Sequence, residues 1–123
     1  MHRLLVVDDH ELMRTVLIRL LSPHCEVEAV SSGEAAIHAT EARTFDGILL
    51  DIRMPGIDGV AACRAIRAAG FDGPIIALTA DESVRNDPDF ASAGFTDLIE
   101  KPFAADTLLN RTLPHLDGGQ TGP

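Results

Sequence analysis

Tryptophan and tyrosine are absent from this sequence, and five phenylalanines supply all of its 4% aromatic content. At 123 residues the chain is long enough to bury one core without disulfides or metals, so that core must be packed from aliphatic side chains. Positive charge is also scarce: ten Lys and Arg stand against nineteen Asp and Glu, a formal net charge of −9. Such a field repels polyanions, and ten scattered cations cannot line a groove, which excludes direct nucleic-acid binding. The acidic excess itself leaves two possibilities open, carboxylates gathered around a divalent cation or a merely solvated surface. The two cysteines, Cys25 in a strand-like segment and Cys63 in a helical one, lack CxxC spacing and a nearby His, so no zinc site is supported. They are expected to be small buried thiols in a reducing cytosol. No apolar run approaches the ~20 residues of a membrane span, and the first run, Leu4 to Val7, is cut short by Asp8 and Asp9 before it resembles a secretion signal. The expectation is one soluble, cytoplasmic domain over residues 1–117 with a disordered tail from Gly118 to Pro123.

What the sequence does contain is alternation. Short apolar runs bounded by turn residues exchange with longer stretches of helical period in the order βαβαβαβαβα, the signature of a parallel sheet with crossover helices. Leu4 to Val7 has no polar alternation, as a strand buried on both faces requires. Leu12, Val16, Leu20 and Met13, Leu17, Leu21 recur four apart and predict an apolar helical stripe that ends at Pro23. Cys25, Val27 and Ala29 alternate with Glu26 and Glu28, which predicts a strand at an edge of the sheet. Ser31 and Glu34 stand at capping-box spacing before a second helix. Phe45 to Leu50 gives the third strand; Asp58 caps a helix over Gly59 to Ala69 that Gly70 closes. Pro74 to Leu78 is the fourth strand, and the polar stretch Asp81 to Gly94 predicts a weak helix broken near Asp87. Leu98 and Ile99 form the fifth strand, and Ala104 to Leu113 the last helix.

Ligands of an open parallel sheet bind outside the carboxyl ends of its strands. Those ends carry Asp8 and Asp9, then Asp51, then Thr79, then Glu100, Lys101 and Pro102. Carboxylates crowded in one pocket repel one another unless a cation sits among them, and oxygen-rich sites suit Mg²⁺. With Mg²⁺ to offset charge, a carboxylate can attack a phosphoryl donor, while Thr79 and Lys101 contact the phosphoryl oxygens. Lys101 is the one lysine among ten basic residues, and it falls at a strand end. His10 either lines the rim of this site or simply starts a helix in solvent. The long cation of Arg53 either covers the pocket or leans on nearby carboxylates. Met54, Pro55, Gly56, Asp58 and Gly59 form a Pro-Gly turn with an Asp cap, to which no chemistry is assigned.

On these residues the chain closely resembles the response-regulator receiver family from about Arg3 to Leu113. The matching pieces are LLVVDDHE, ILLDIRMPGIDG, PIIALTA and IEKPF, in the family's order and spacing. The resemblance implies a CheY-like α/β fold, a doubly wound five-stranded parallel sheet of order 2-1-3-4-5. It also implies that Asp51 is the phosphoacceptor, that Asp8, Asp9, Asp51 and the backbone carbonyl of Arg53 hold Mg²⁺ or Mn²⁺, and that Thr79 and Lys101 bind the phosphoryl group. The Lys101–Pro102 bond is expected to be cis. The implied partners are a histidine kinase or histidine phosphotransfer protein and an unidentified downstream protein, with no membrane insertion. The implied role is signalling, with catalysis limited to the domain's own phosphorylation and slow autodephosphorylation. One departure stands out: many members carry Tyr or Phe three residues before the lysine, where this chain has Leu98, so the family's usual switch residue is missing. The domain could stand alone or belong to a hybrid histidine kinase, which the PIIALTA strand resembles somewhat more.

Three rivals fit less well. Haloacid-dehalogenase-like phosphatases place the nucleophile within DxD on the first strand, whereas here an acidic pair precedes Asp51. A flavodoxin-like electron carrier needs hydroxyls and backbone donors in the first loop, where Asp8-Asp9-His10-Glu11 would repel a phosphate. A purely structural module would ordinarily have lost at least one of the five site residues.

Overall fold

Five short parallel strands with helices on both faces build the computed structural model, which describes residues 1–117. The expected tail, 118–123, lies outside the described residues. In chain order the elements are β1 (Arg3–Val7), α1 (Glu11–Leu21), β2 (Glu26–Val30), α2 (Gly33–Ala42), β3 (Gly47–Asp51), α3 (Gly59–Ala68) and β4 (Ile75–Thr79). A 3₁₀ turn (Glu82–Asn86), α4 (Pro88–Ala93), β5 (Asp97–Glu100) and α5 (Ala105–Leu116) complete them. The sheet order is β2-β1-β3-β4-β5, as the resemblance implies.

Successive side chains of a strand point to opposite faces, so a strand covered on both sides must be apolar throughout. In β1, Leu4 and Val6 join α1 and α5 through Leu17, Leu21, Leu108 and Leu116, while Leu5 and Val7 face α2 and α3 through Ala36, Ala39, Ala62 and Ile66. Every residue of β3 and β4 is buried. The edge position of β2 and the break at Asp87 are where the sequence puts them.

Several local expectations shift. The stripe of α1 is only partly buried: Leu17 and Leu21 are fully enclosed, but Leu12 is 76% and Val16 36% exposed. Residues four apart on an α-helix slip by about 40° per step, so the row Leu12–Val16–Leu20 winds toward the sheet and reaches it only at its last member. The cap of α2 is Ser32 rather than Ser31, its side chain accepting from the Ala35 N–H at 3.0 Å. Cys25 lies just before β2, buried, with its thiol donating to the Leu21 carbonyl at 3.6 Å. The last helix runs past Leu113 and through Pro114. Proline removes one hydrogen bond near a helix end, and the extra turn buries Leu116 over Gly47, where a Cβ would meet the leucine Cδ2 at 2.5 Å.

A third apolar cluster lies near the carboxyl edge. Ile52, Ala77 and Leu98 pack together there with Val60, Val84, Phe90 and Phe95 against them. Phe90 and Phe95 stack with ring centroids 4.8 Å apart.

Candidate functional site

The strand order places the ends of β1 and β3 side by side, and the residues that follow them meet at one edge of the sheet. Asp8 and Asp51 are buried there. Asp9 is partly exposed, yet its Oδ1 is buried and has no hydrogen-bond partner among the described residues. Lys101 arrives from beyond β5, and its Nζ lies 3.0 Å from Asp8 Oδ2 and 3.5 Å from Asp51 Oδ1. The Lys101–Pro102 peptide is cis. Thr79 ends β4 and is buried, its Oγ1 accepting from the Asp81 N–H at 3.1 Å. Glu100 is exposed and stands outside the group.

Backbone and neighbouring donors hold the carboxylates. The His10 N–H donates to Asp8 Oδ1 at 2.9 Å and the Arg53 N–H to Asp51 Oδ1 at 3.2 Å. Arg14 reaches back from α1 to donate to the Asp8 carbonyl at 2.8 Å, a role its position outside the apolar stripe did not disclose. The His10 ring turns toward the acidic pair, Nδ1 lying 3.3 Å from Asp8 Oδ1 and 3.3 Å from Asp9 Oδ1, neither contact aligned as a hydrogen bond. His10 thus both starts α1 and borders the site. The guanidinium of Arg53 leans on Asp81, 3.6 Å away. Asp81 is held below the usual carboxylate range by the hydroxyl and N–H of Ser83, with Arg53 adding to the effect, so it remains ionised as a partner.

Burial pushes the carboxyl of Asp51 above its ordinary pKa. Lys101 and the Arg53 N–H oppose that shift, while the charges of Asp8 and Asp9 reinforce it. Three carboxylates against one ammonium leave surplus negative charge, and the orphaned oxygen of Asp9 points to a missing positive neighbour. Ligand atoms of Asp8, Asp9, His10 and Asp51 all lie within 4.8 Å of one another, so the residues fit a small dication. A cavity of about 540 Å³ opens onto this group, lined by Asp51, Arg53, Thr79, Ala80 and Lys101 and by His10, Leu12, Met13 and Val16 of the α1 side. A larger depression, about 810 Å³, lies at the opposite edge around Phe45, Phe71 and Leu116, away from Asp8, Asp9 and Asp51.

Leu98 is buried and packs with Ile52 and Ala77 in the third apolar cluster. No helix of the described residues is long and apolar enough to cross a membrane.

Known proteins are similar to this chain in sequence and in architecture. The chain is 40% identical over 110 residues to the response regulator MprA of Mycolicibacterium vanbaalenii, an alignment covering 89% of this chain and 48% of that protein. The chain thus spans about half the length of the curated relatives it matches. The receiver domain of the sensor histidine kinase PA1611 from Pseudomonas aeruginosa, solved with magnesium coordinated in its active-site cleft, superposes with a TM-score of 0.83 at 36% identity, covering 95% of this chain and 98% of that one. The response regulator TrrA from Thermotoga maritima, solved with magnesium and beryllofluoride, gives 0.85 at 33% identity over 94% and 99% of the two chains. A sequence profile for the response regulator receiver domain matches residues 4–113, and on that match, with the sheet order and the strand-end carboxylates, this chain belongs to the receiver-domain family of two-component signalling.

Proposed function

We propose that Asp51 accepts a phosphoryl group from a phosphohistidine of a histidine kinase or histidine phosphotransfer protein, and that the phosphorylated domain, residues 1–117, is recognised by a downstream protein. The observation that carries this is Lys101 bridging Asp8 and Asp51 at 3.0 and 3.5 Å, an ammonium already placed where phosphoryl oxygens would arrive. Asp8, Asp9, the Asp51 side chain and the Arg53 carbonyl would hold Mg²⁺, or Mn²⁺ in its place. When bound, that ion offsets the charge of the nucleophile and of the incoming phosphoryl oxygens.

Transfer makes one O–P bond at an Asp51 oxygen and breaks the N–P bond of the donor, whose imidazole leaves neutral after taking up a proton. Raising the Asp51 pKa makes its ionised form more basic and a better nucleophile, while Lys101 keeps that form populated. Lys101 then pairs with one phosphoryl oxygen and the Thr79 hydroxyl donates to another, exchanging its local contact with the Asp81 loop for the new one. Such a domain catalyses its own phosphorylation and slow dephosphorylation rather than the turnover of a separate substrate. The relatives solved with magnesium support this assignment, as does the fit of the carboxylate group to a dication.

Incubation with acetyl phosphate and Mg²⁺ should add one alkali-labile, hydroxylamine-sensitive phosphoryl group per chain, read by mass spectrometry. Asp51→Asn should fold and remain unlabelled. Equal labelling of that variant would assign the chemistry to another residue.

A further inference from the structure

We propose that His10 Nδ1 is a direct ligand for a first-row transition dication seated on Asp8, Asp9 and Asp51, so that the pocket holds ions such as Mn²⁺ and Zn²⁺ more tightly relative to Mg²⁺ than its oxygen atoms alone would. The inference rests on the metal site proposed above and adds a nitrogen donor to it. The ring has no other structural employment. His10 is the N-cap of α1 with extended backbone, φ −93° and ψ 119°, and its side chain makes no capping hydrogen bond. Although 72% exposed, it turns inward, with Nδ1 3.3 Å from an oxygen of each of the two adjacent carboxylates.

Those separations are the ones a shared ion requires. With metal–ligand bonds of about 2.0–2.2 Å, neighbouring donors of one coordination sphere lie about 3 Å apart and opposed donors a little over 4 Å. One donor atom from each of the four residues falls within 4.8 Å of the others, and Asp9 Oδ1, itself 3.3 Å from His10 Nδ1, is buried without a hydrogen bond. Neutral imidazole is a favoured ligand for zinc, copper, nickel and iron, whereas Mg²⁺ takes oxygen and keeps its waters. Three carboxylates with one imidazole therefore form a mixed O/N set, and the gain from the nitrogen grows along the first-row series. An alternative role, a ring that merely balances the charge of Asp8 and Asp9, would affect all dications alike and place no nitrogen on the metal.

The test uses the intact chain. Electron spin-echo spectroscopy of bound Mn²⁺ detects ¹⁴N coupling from a ligating imidazole, and calorimetry gives Zn²⁺ and Mg²⁺ affinities for the wild type, His10→Ala and Asp9→Ala. Nitrogen coupling in the wild type, lost in His10→Ala, is expected, with Zn²⁺ affinity falling at least about tenfold and Mg²⁺ affinity no more than about twofold. Mn²⁺ that binds in an Asp9-dependent way without nitrogen coupling would overturn the role of His10 while leaving the carboxylate site standing. Equal loss of Zn²⁺ and Mg²⁺ affinity in His10→Ala would also overturn it. Absence of any Asp9-dependent dication binding would overturn both the site and its nitrogen donor. The wild-type spectrum needs no variant, so a misfolded substitution cannot rescue the idea.

Discussion

A single methyl group should separate β3 from the helix that follows it. Gly59 is buried at the first position of α3, and its N–H donates to the Ile52 carbonyl at 2.8 Å. A Cβ built there would stand 2.3 Å from the carbonyl oxygen of Asp51 and 2.7 Å from Cα of Ile52. Both neighbours are backbone, so no side chain can rotate away, and the start of α3 must retreat by most of an ångström. Overpacking of this kind costs about 1–3 kcal/mol, against at most about 1 kcal/mol gained from the helix preference of alanine over glycine. We expect Gly59→Ala to lose about 2 kcal/mol, which in a domain of this size lowers Tm by roughly 6–10 °C. Because the chain has no tryptophan, far-UV circular dichroism during heating and urea titration is the suitable assay. The shift should be accompanied by slower labelling by acetyl phosphate, since the carbonyl being pushed belongs to Asp51, the proposed phosphoacceptor. A variant as stable as the wild type, with unchanged labelling, would refute the argument that this close approach positions Asp51.

Asp51→Asn should raise Tm at neutral pH in the absence of divalent ions. The folded pKa of Asp51 lies above its unfolded value, so its contribution to stability is fully present below the ordinary carboxylate range and is lost as pH rises through the folded pKa. The advantage of the variant should therefore vanish near pH 3 and grow toward neutrality, and a constant difference across that range would contradict it. Mg²⁺ at ten times its dissociation constant should stabilise the wild type by about 1.4 kcal/mol, a Tm rise of roughly 4–7 °C, and Asp9→Ala by far less. Equal shifts would place the ion elsewhere. Beryllofluoride should perturb amide chemical shifts mainly over Asp8 to Glu11, Asp51 to Gly59, Thr79 to Glu82 and Lys101 to Phe103, because Leu98 lacks the aromatic switch. Large changes at Leu98 and along the outer face of α5 would show that the Ile52–Ala77–Leu98 cluster carries the signal instead.

The strands were legible because a parallel sheet covered on both faces demands continuous apolar runs, and Leu4 to Val7 or Ile75 to Leu78 admit little else. The residues at the strand ends were legible for a related reason: once the runs are placed, topology decides that Asp8, Asp51 and Lys101 meet. What escaped were features set by angles rather than by order. Leu12 and Val16 share the four-residue spacing of buried residues, and only the helix's rotation against the sheet leaves them in solvent. Ser31 and Ser32 are equally good caps in composition; the start of α2 one residue later, with Gly33 tight against the Ile57 carbonyl, selects the second. The ring of His10 and the pairing of Arg53 with Asp81 depend on rotamers, for which a single sequence carries no signal.

The ion pair between Asp8 and Lys101 joins residues 93 positions apart. Neither partner can find the other until the whole sheet between them has assembled, since the intervening strands fix their separation. A chain still emerging during synthesis, or one transiently opened by heat or by a destabilising substitution, has an ordinary solvated aspartate at position 51 and nothing to set it apart from eighteen other acidic residues. Under the proposed function, the capacity to be phosphorylated is thus a property of the completed domain alone, and partly built copies would stay silent.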